Sequence, residues 1–272
     1  MKRILIPFLI SIVFVSCKKA SPNLLVDVSN RGVVSEKAMV VSAREEASKI
    51  GASILQKGGN VFDAMMATEL ALNVAYPYAG SIGGGGFMVY RLNTGEIGAL
   101  DYREKAPLAA SRDMYLDEEG NVIPEMSTVG AMAVGVPGGI AGIFEAHEKF
   151  GTLSIEEIIQ PVIDLANNGV VVTKKQSDRI EHYKPNFPKA NKDSILFDHV
   201  WKQYDTIKYP ALAETLTRIM KNGRNEFYKG ETAKRFVKFM EDNGGIITEE
   251  DLARYEAVWR EPITFEYDDL RI

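Results

Sequence analysis

The sequence predicts a domain that mixes helices with strands, of the α/β or α+β class. Three observations lead there. Amphipathic segments with their own capping residues recur along the chain. Two short apolar-rich runs joined by a turn signal sit between two of these segments. No internal repeat, low-complexity tract or second long hydrophobic segment interrupts them.

The folded part begins at AMVVSA, Ala38 to Ala43, which reads as a short apolar strand. Ser42 followed by Glu45 has the spacing of a capping box, and REEASKIGASILQKGG then carries helical periodicity. Gly58 and Gly59 stop that helix. Asn60 and Asp63 cap the next one, FDAMMATELALNVAYP, whose alanines permit close approach to a sheet and whose end precedes Pro77. GFMVYRL and EIGALDYR read as hairpin strands around Asn93-Thr94-Gly95. In GAMAVGVPGGIAGIFEAHEKFG an apolar strand passes through Pro137-Gly138-Gly139 into a helix. SIEEIIQPVIDLANNG is a further amphipathic helix with Ser154 and Glu157 as its capping box. Helices are also expected at PALAETLTRIMKNG and GETAKRFVKFMEDNGG.

At 272 residues, with 46% hydrophobic and 25% charged content, the chain can bury a sizeable core. A formal charge of -5 excludes nucleic-acid binding by bulk electrostatics. Residues 1–16 read as a leader: Lys2 and Arg3 precede an apolar run from Ile4 to Val15 that is too short for a stable membrane anchor. The chain's only cysteine, Cys17, ends that run in the manner of a bacterial lipobox, with Phe14 where leucine is usual. Cys17 is therefore the expected lipidation site, and residues 17–37 a polar tether ahead of a domain spanning 38–272. The protein is expected to be exported, periplasmic or at the cell surface, and held to the membrane by that lipid. A lone cysteine allows no intrachain disulfide.

Several motifs are tested and set aside. Gly83 to Gly86 does not fit G-x-G-x-x-G, because position 88 is methionine, and no Gly-Lys-Ser/Thr follows. Such a run instead lets backbone approach backbone closely. His147, His182 and His199 lie far apart with no second ligand one helical turn away, so no metal site is indicated. His147, between Glu145 and Glu148, reads as part of a solvated helix face. No G-x-S-x-G elbow is present. The acidic runs at Asp117-Glu118-Glu119 and Glu249-Glu250-Asp251 are explained by loop solubility and helix capping. Arg103, in DYREKAP at the end of the second hairpin strand, has two readings. It is either a local salt bridge to Asp101 or Glu104, the simpler one, or a fork that grips a carboxylate through two parallel hydrogen bonds.

Five segments occur in one order at familiar spacings: ILQKGGNVFDAMMATELALNV, SIGGGGFMVYR, DYREKAP, GVPGGIAGIFEAHEKFGTLSIEEIIQPVIDLANNG and FYKGETAKRFVKFMEDNGGIITEEDLARYEA. Together they resemble the large-subunit part of the γ-glutamyltranspeptidase (glutathione hydrolase) family, from about Met39 to the end of the chain. The resemblance implies an α+β fold, the αββα four-layer sandwich of N-terminal-nucleophile (Ntn) hydrolases, of which this chain is an N-terminal portion. It implies an enzyme that cuts itself to expose a threonine, whose hydroxyl attacks the γ-amide of glutathione or a related γ-glutamyl compound. Water, an amino acid or a peptide then accepts the γ-glutamyl group. It also implies that Arg103 holds the α-carboxylate of that group. No cofactor or metal is expected. No Thr-Thr pair occurs in the sequence, and Thr128, Thr173 and Thr248 read as ordinary loop or helix-start residues. The nucleophile is therefore expected beyond Ile272, with the small-subunit portion as partner, and none of these residues is catalytic. A related glutaryl acylase, or a non-catalytic lipoprotein that kept the fold, are the competing readings.

Overall fold

Arg44, and not Ser42, occupies the N-cap position of the first helix, without a side-chain capping hydrogen bond, in the computed structural model, which describes residues 32–272. The leader, Cys17 and the tether as far as Arg31 lie outside the described residues. Residues Ala38–Ile272 form one unit. Ala38 to Ala43 is not part of any strand among the described residues, contrary to the sequence reading. Val40 packs on the core while Met39 and Val41 are exposed, so the apolar alternation is present without a ladder to join. The Ser42–Glu45 box is also absent. Glu45 is the first helical residue and not the third, so its side chain is out of register for the cap. The Ser42 hydroxyl instead donates to the Arg44 carbonyl and lies 2.8 Å from the Ser48 hydroxyl.

Helix α1 (Glu45–Gln56) ends where Gly58 takes φ +94°, a left-handed conformation that side-chain-bearing residues avoid. Helix α2 (Val61–Ala75) follows with its expected box: the Asn60 side chain accepts from the amides of Phe62 and Asp63, and Asp63 accepts from the Asn60 amide. Eleven of its fifteen residues are buried, which makes it the central helix. Asp63 is fully buried and does more than cap. It also accepts from the amide and hydroxyl of Thr152, 3.0 and 2.6 Å away, and so ties α2 to the loop before α4. Burial alone would raise its pKa, but the hydrogen bonds from Thr152 and Asn60 outweigh that and hold the carboxyl below its ordinary range.

Strands β1 (Gly86–Arg91) and β2 (Ile97–Tyr102) form the expected hairpin, and β5 (Val258–Arg260) adds antiparallel to β2. Met88, Leu100 and Trp259 lie abreast and face helices, packing with Phe62, Ala146 and Phe150. Helix α3 (Gly139–Phe150) lies under this face. The apolar segment before it, expected as a strand, is a single 3-10 turn at Ala131–Ala133 plus one bridge between Lys105 and Val136. The opposite face carries Phe87 and Val89, 66% and 74% exposed, with Ala99 and Val258. That exposed face, which also carries the charged Asp101–Arg260 pair, is what a second sheet would cover in a four-layer sandwich.

The remaining chain buttresses α2. Helix α4 (Ile155–Asn168) starts at the expected Ser154–Glu157 box. After the two-residue strand β3 (Val170–Val171), Thr173 caps α5 (Lys174–Tyr183), and the single turn α6 (Phe187–Ala190) follows. Strand β4 (Thr206–Ile207) pairs with β3 and leads into α7 (Pro210–Asn222), which packs on α4. Helices α8 (Arg224–Lys229), α9 (Glu231–Asp242) and α10 (Glu249–Ala253) follow, the last capped by Thr248 and Asp251 as a box. A small hairpin, β6 (Glu266–Tyr267) with β7 (Leu270–Arg271), closes the described chain. His147 departs from its expected solvated role: it is 18% exposed, and its Nε2 lies 2.8 Å from the Leu153 carbonyl.

Candidate functional site

Arg103 is the first residue after β2, and its backbone is fixed on three sides. Its amide donates to Asp101 Oδ1 (3.1 Å), and its carbonyl accepts from the Tyr255 hydroxyl (2.7 Å). On the third side, Lys105 exchanges backbone hydrogen bonds with Val136, just ahead of α3. Tyr255 is 2% exposed and stacks on Tyr228 with ring centroids 5.7 Å apart, so the post against the Arg103 carbonyl is itself rigid. Burial pushes the Tyr255 hydroxyl up to about 12, which keeps it a donor.

The glycine run makes this approach possible. The Gly84 carbonyl accepts from both Gly138 and Gly139 amides at 2.9 Å, joining the run to the start of α3. A Cβ on Gly85 would stand 2.4 Å from the Tyr102 carbonyl oxygen, and one on Gly138 would stand 2.1 Å from the same oxygen. A Cβ on Gly142 would stand 2.1 Å from Tyr102 Cγ. Each of these distances is below any tolerable contact, so the turn between β2 and Arg103 nests in a cradle that only glycine permits.

The side chain of Arg103, by contrast, is open. It is 62% exposed, with Nη1 2.7 Å from Glu104 Oε2, a charge contact without the alignment of a hydrogen bond. Asp101, the other partner allowed by the sequence, is taken: its Oδ2 accepts from Arg260 Nε on β5 at 2.8 Å and lies 2.7 Å from Nη2 of the same guanidinium. The Arg103 backbone hydrogen bond, with Arg260 behind it, holds the Asp101 carboxyl below its usual range. The structure therefore separates two arginines at one strand end. Arg260 is tied across the sheet, and Arg103 keeps most of its fork toward solvent. The arrangement offers a rigidly based guanidinium able to hold a carboxylate through paired hydrogen bonds.

A residue the sequence reading missed meets Tyr102, the last residue of β2. Glu69 on α2 accepts from the Tyr102 hydroxyl at 3.0 Å. Burial drives its carboxyl up to about 7, with the Tyr102 hydrogen bond pulling the other way, and burial together with Glu69 drives the Tyr102 hydroxyl well up. The signal was present as the lone acid inside the apolar stretch AMMATELALNV.

Helices on one face of a three-stranded sheet, the other face exposed, and an arginine set on a glycine cradle give an α+β arrangement of the kind found in γ-glutamyltranspeptidases. The family model for gamma-glutamyltranspeptidase matches residues 47–272, and the chain belongs to that family. The glutathione hydrolase proenzyme of Pseudomonas sp. (strain A14) is 43% identical over 243 residues, which cover 88% of this chain and 42% of that protein. The gamma-glutamyltranspeptidase of Helicobacter pylori superposes with a TM-score of 0.84 at 39% identity, over 88% of this chain and 70% of that one. The Pseudomonas nitroreducens enzyme complexed with L-DON gives 0.84 at 41% identity, over 88% and 71%. The chain thus spans less than half the length of the curated relative it matches.

Proposed function

We propose that the full-length protein cleaves γ-glutamyl amides such as glutathione and passes the γ-glutamyl group to water, an amino acid or a peptide. The observation that carries this is the open Arg103 fork on its fixed backbone. In this reading the guanidinium takes the substrate's α-carboxylate, and the rest of the γ-glutamyl group reaches toward a nucleophile supplied by the C-terminal portion. The Arg103 end of the Glu104 contact is exposed and lacks hydrogen-bond alignment, while Glu104 Oε2 is buried, so a bidentate ligand would compete for the open side of the fork and need not displace Glu104.

The chemistry follows the threonine pattern. The threonine hydroxyl adds to the γ-carbonyl, its proton passing to the residue's own α-amino group, and the amine leaves with a proton. The resulting ester is opened by water, giving glutamate, or by an amine, giving a transferred product. Arg103 positions the substrate and takes no part in bond-making. The C-terminal portion would contribute the nucleophile and the sheet covering Phe87 and Val89. An N-terminal lipid on Cys17 would hold the exported protein at the membrane.

The test is expression from the complete reading frame, followed by 4-nitroaniline release from γ-glutamyl-4-nitroanilide. Saturable release by the full product, with none by residues 1–272 alone, is the expected result. Turnover by residues 1–272 alone would refute the division of labour. Faster cleavage of glutaryl-4-nitroanilide would favour the acylase instead.

A further inference from the structure

A second concave site, built from segments away from Arg103, lies where the chain leaves α2 and meets α5. It is a cavity of about 230 Å³ with Tyr78, Ile180, Tyr183, Phe187 and Phe197 on its walls. Two polar side chains enter this apolar lining, Gln176 and Arg179.

Gln176 is 0% exposed, and its amide orientation is forced. Arg44 Nη1 donates to Gln176 Oε1 at 3.0 Å, so the oxygen must face Arg44 and the NH2 must face away. Arg44 is itself immobilised, by Glu46 at 2.7 Å and by the Val171 carbonyl. Gln176 Nε2 is buried and has no hydrogen-bond partner among the described residues. A buried donor left unpaired is costly, and native structures rarely tolerate one without a ligand or ordered water. One turn further along α5, the Arg179 guanidinium lies 4.5 Å from the centroid of the Tyr78 ring. Among the described residues it has no carboxylate partner. An arginine stacked on an aromatic face keeps the edge of its fork free for an anion.

We infer that this cavity binds a small carboxylate with a branched or aromatic apolar body. The carboxylate would pair with Arg179 and accept from Gln176 Nε2, and the body would lie among Ile180, Phe187 and Phe197. The volume admits one ring with a short arm. A cation of the same shape has no carboxylate to meet on the lining residues.

The experiment titrates sodium phenylacetate into the protein expressed from its whole reading frame, followed by calorimetry and ligand-observed NMR. Phenethylammonium chloride serves as the charge-reversed control. Phenylacetate should bind saturably with a dissociation constant of about millimolar, the range expected for so few heavy atoms. Arg179→Gln, a half-buried substitution that removes no internal ion pair, should weaken binding by about tenfold or more. Ile180→Trp, which fills the cavity, should abolish it while leaving Arg103 untouched. Absence of saturation, equal binding of both ions, or an unchanged constant in Arg179→Gln would overturn the inference. A high-resolution structure with only ordered water on Gln176 in the presence of phenylacetate would overturn it too.

Discussion

Replacing Glu69 by glutamine should change how stability depends on pH. Glu69 is held against the Tyr102 hydroxyl, and burial raises its carboxyl from the ordinary 4.5 to about 7. The native state therefore binds this proton more tightly than the unfolded chain does. The stabilisation it provides is complete below about pH 4.5 and is lost as pH rises to about 7. A gap of that size is worth at most about 3 kcal/mol. A realistic interior dielectric lowers the expected value to about 1–2 kcal/mol. Glu69→Gln keeps an acceptor for Tyr102 and removes the charge. Urea unfolding of both proteins at pH 5, 6, 7 and 8 is the assay. The wild type should lose about 1–2 kcal/mol across that range in excess of the variant, and at pH 8 the variant should be the more stable protein. Curves that stay parallel across the range, or a variant less stable at pH 8, would refute the argument.

Three further outcomes follow from the same packing. Gly142→Ala places a methyl about 2 Å from the Tyr102 ring and should destabilise by about 2–3 kcal/mol, read as a fall in thermal midpoint. Asp63→Ala keeps the Asn60 cap but removes the Asp63 half of the α2 capping box together with both Thr152 hydrogen bonds, and a loss of about 2–4 kcal/mol in urea is expected. The exposed Phe87 and Val89 predict that residues 38–272 alone bind the hydrophobic dye ANS, and that the C-terminal portion suppresses this. Absence of dye binding by the fragment would count against a covered sheet.

Much of this organisation is legible in the sequence because it rests on local rules. The boxes at Asn60–Asp63 and Ser154–Glu157, the Gly58 stop and the hairpin around Gly95 each depend on a few neighbouring residues. Ser42–Glu45 has the same spacing and fails, because helix α1 begins at Glu45 and the register of the cap is set by what α1 packs against. The apolar runs at Ala38–Ala43 and before Pro137 do not form strands among the described residues for a related reason: apolar alternation is local, whereas a ladder depends on the chain it meets. In the site, Arg103 was visible from its place after the hairpin. Its separation from Asp101 was not, since only the register of β5 brings Arg260 across to occupy that carboxylate. Glu69 was marked only as a lone acid in an apolar stretch and Gln176 not at all, for the same physical reason. Their chemistry comes from burial against residues far along the chain, Tyr102 and Arg44 respectively.

The proposal that Arg103 grips a glutamyl carboxylate is tested most directly by removing that carboxylate from the substrate and the fork from the enzyme, separately and together. With the full-length protein, kcat/KM is measured for γ-glutamyl-4-nitroanilide and for 4-aminobutanoyl-4-nitroanilide, in wild type and Arg103→Lys. The wild type should prefer the glutamyl substrate by about 100-fold or more, the worth of a paired charge-assisted contact, and Arg103→Lys should lose most of that preference through the glutamyl substrate alone. Equal losses on both substrates, or an undiminished preference, would contradict the role assigned to Arg103.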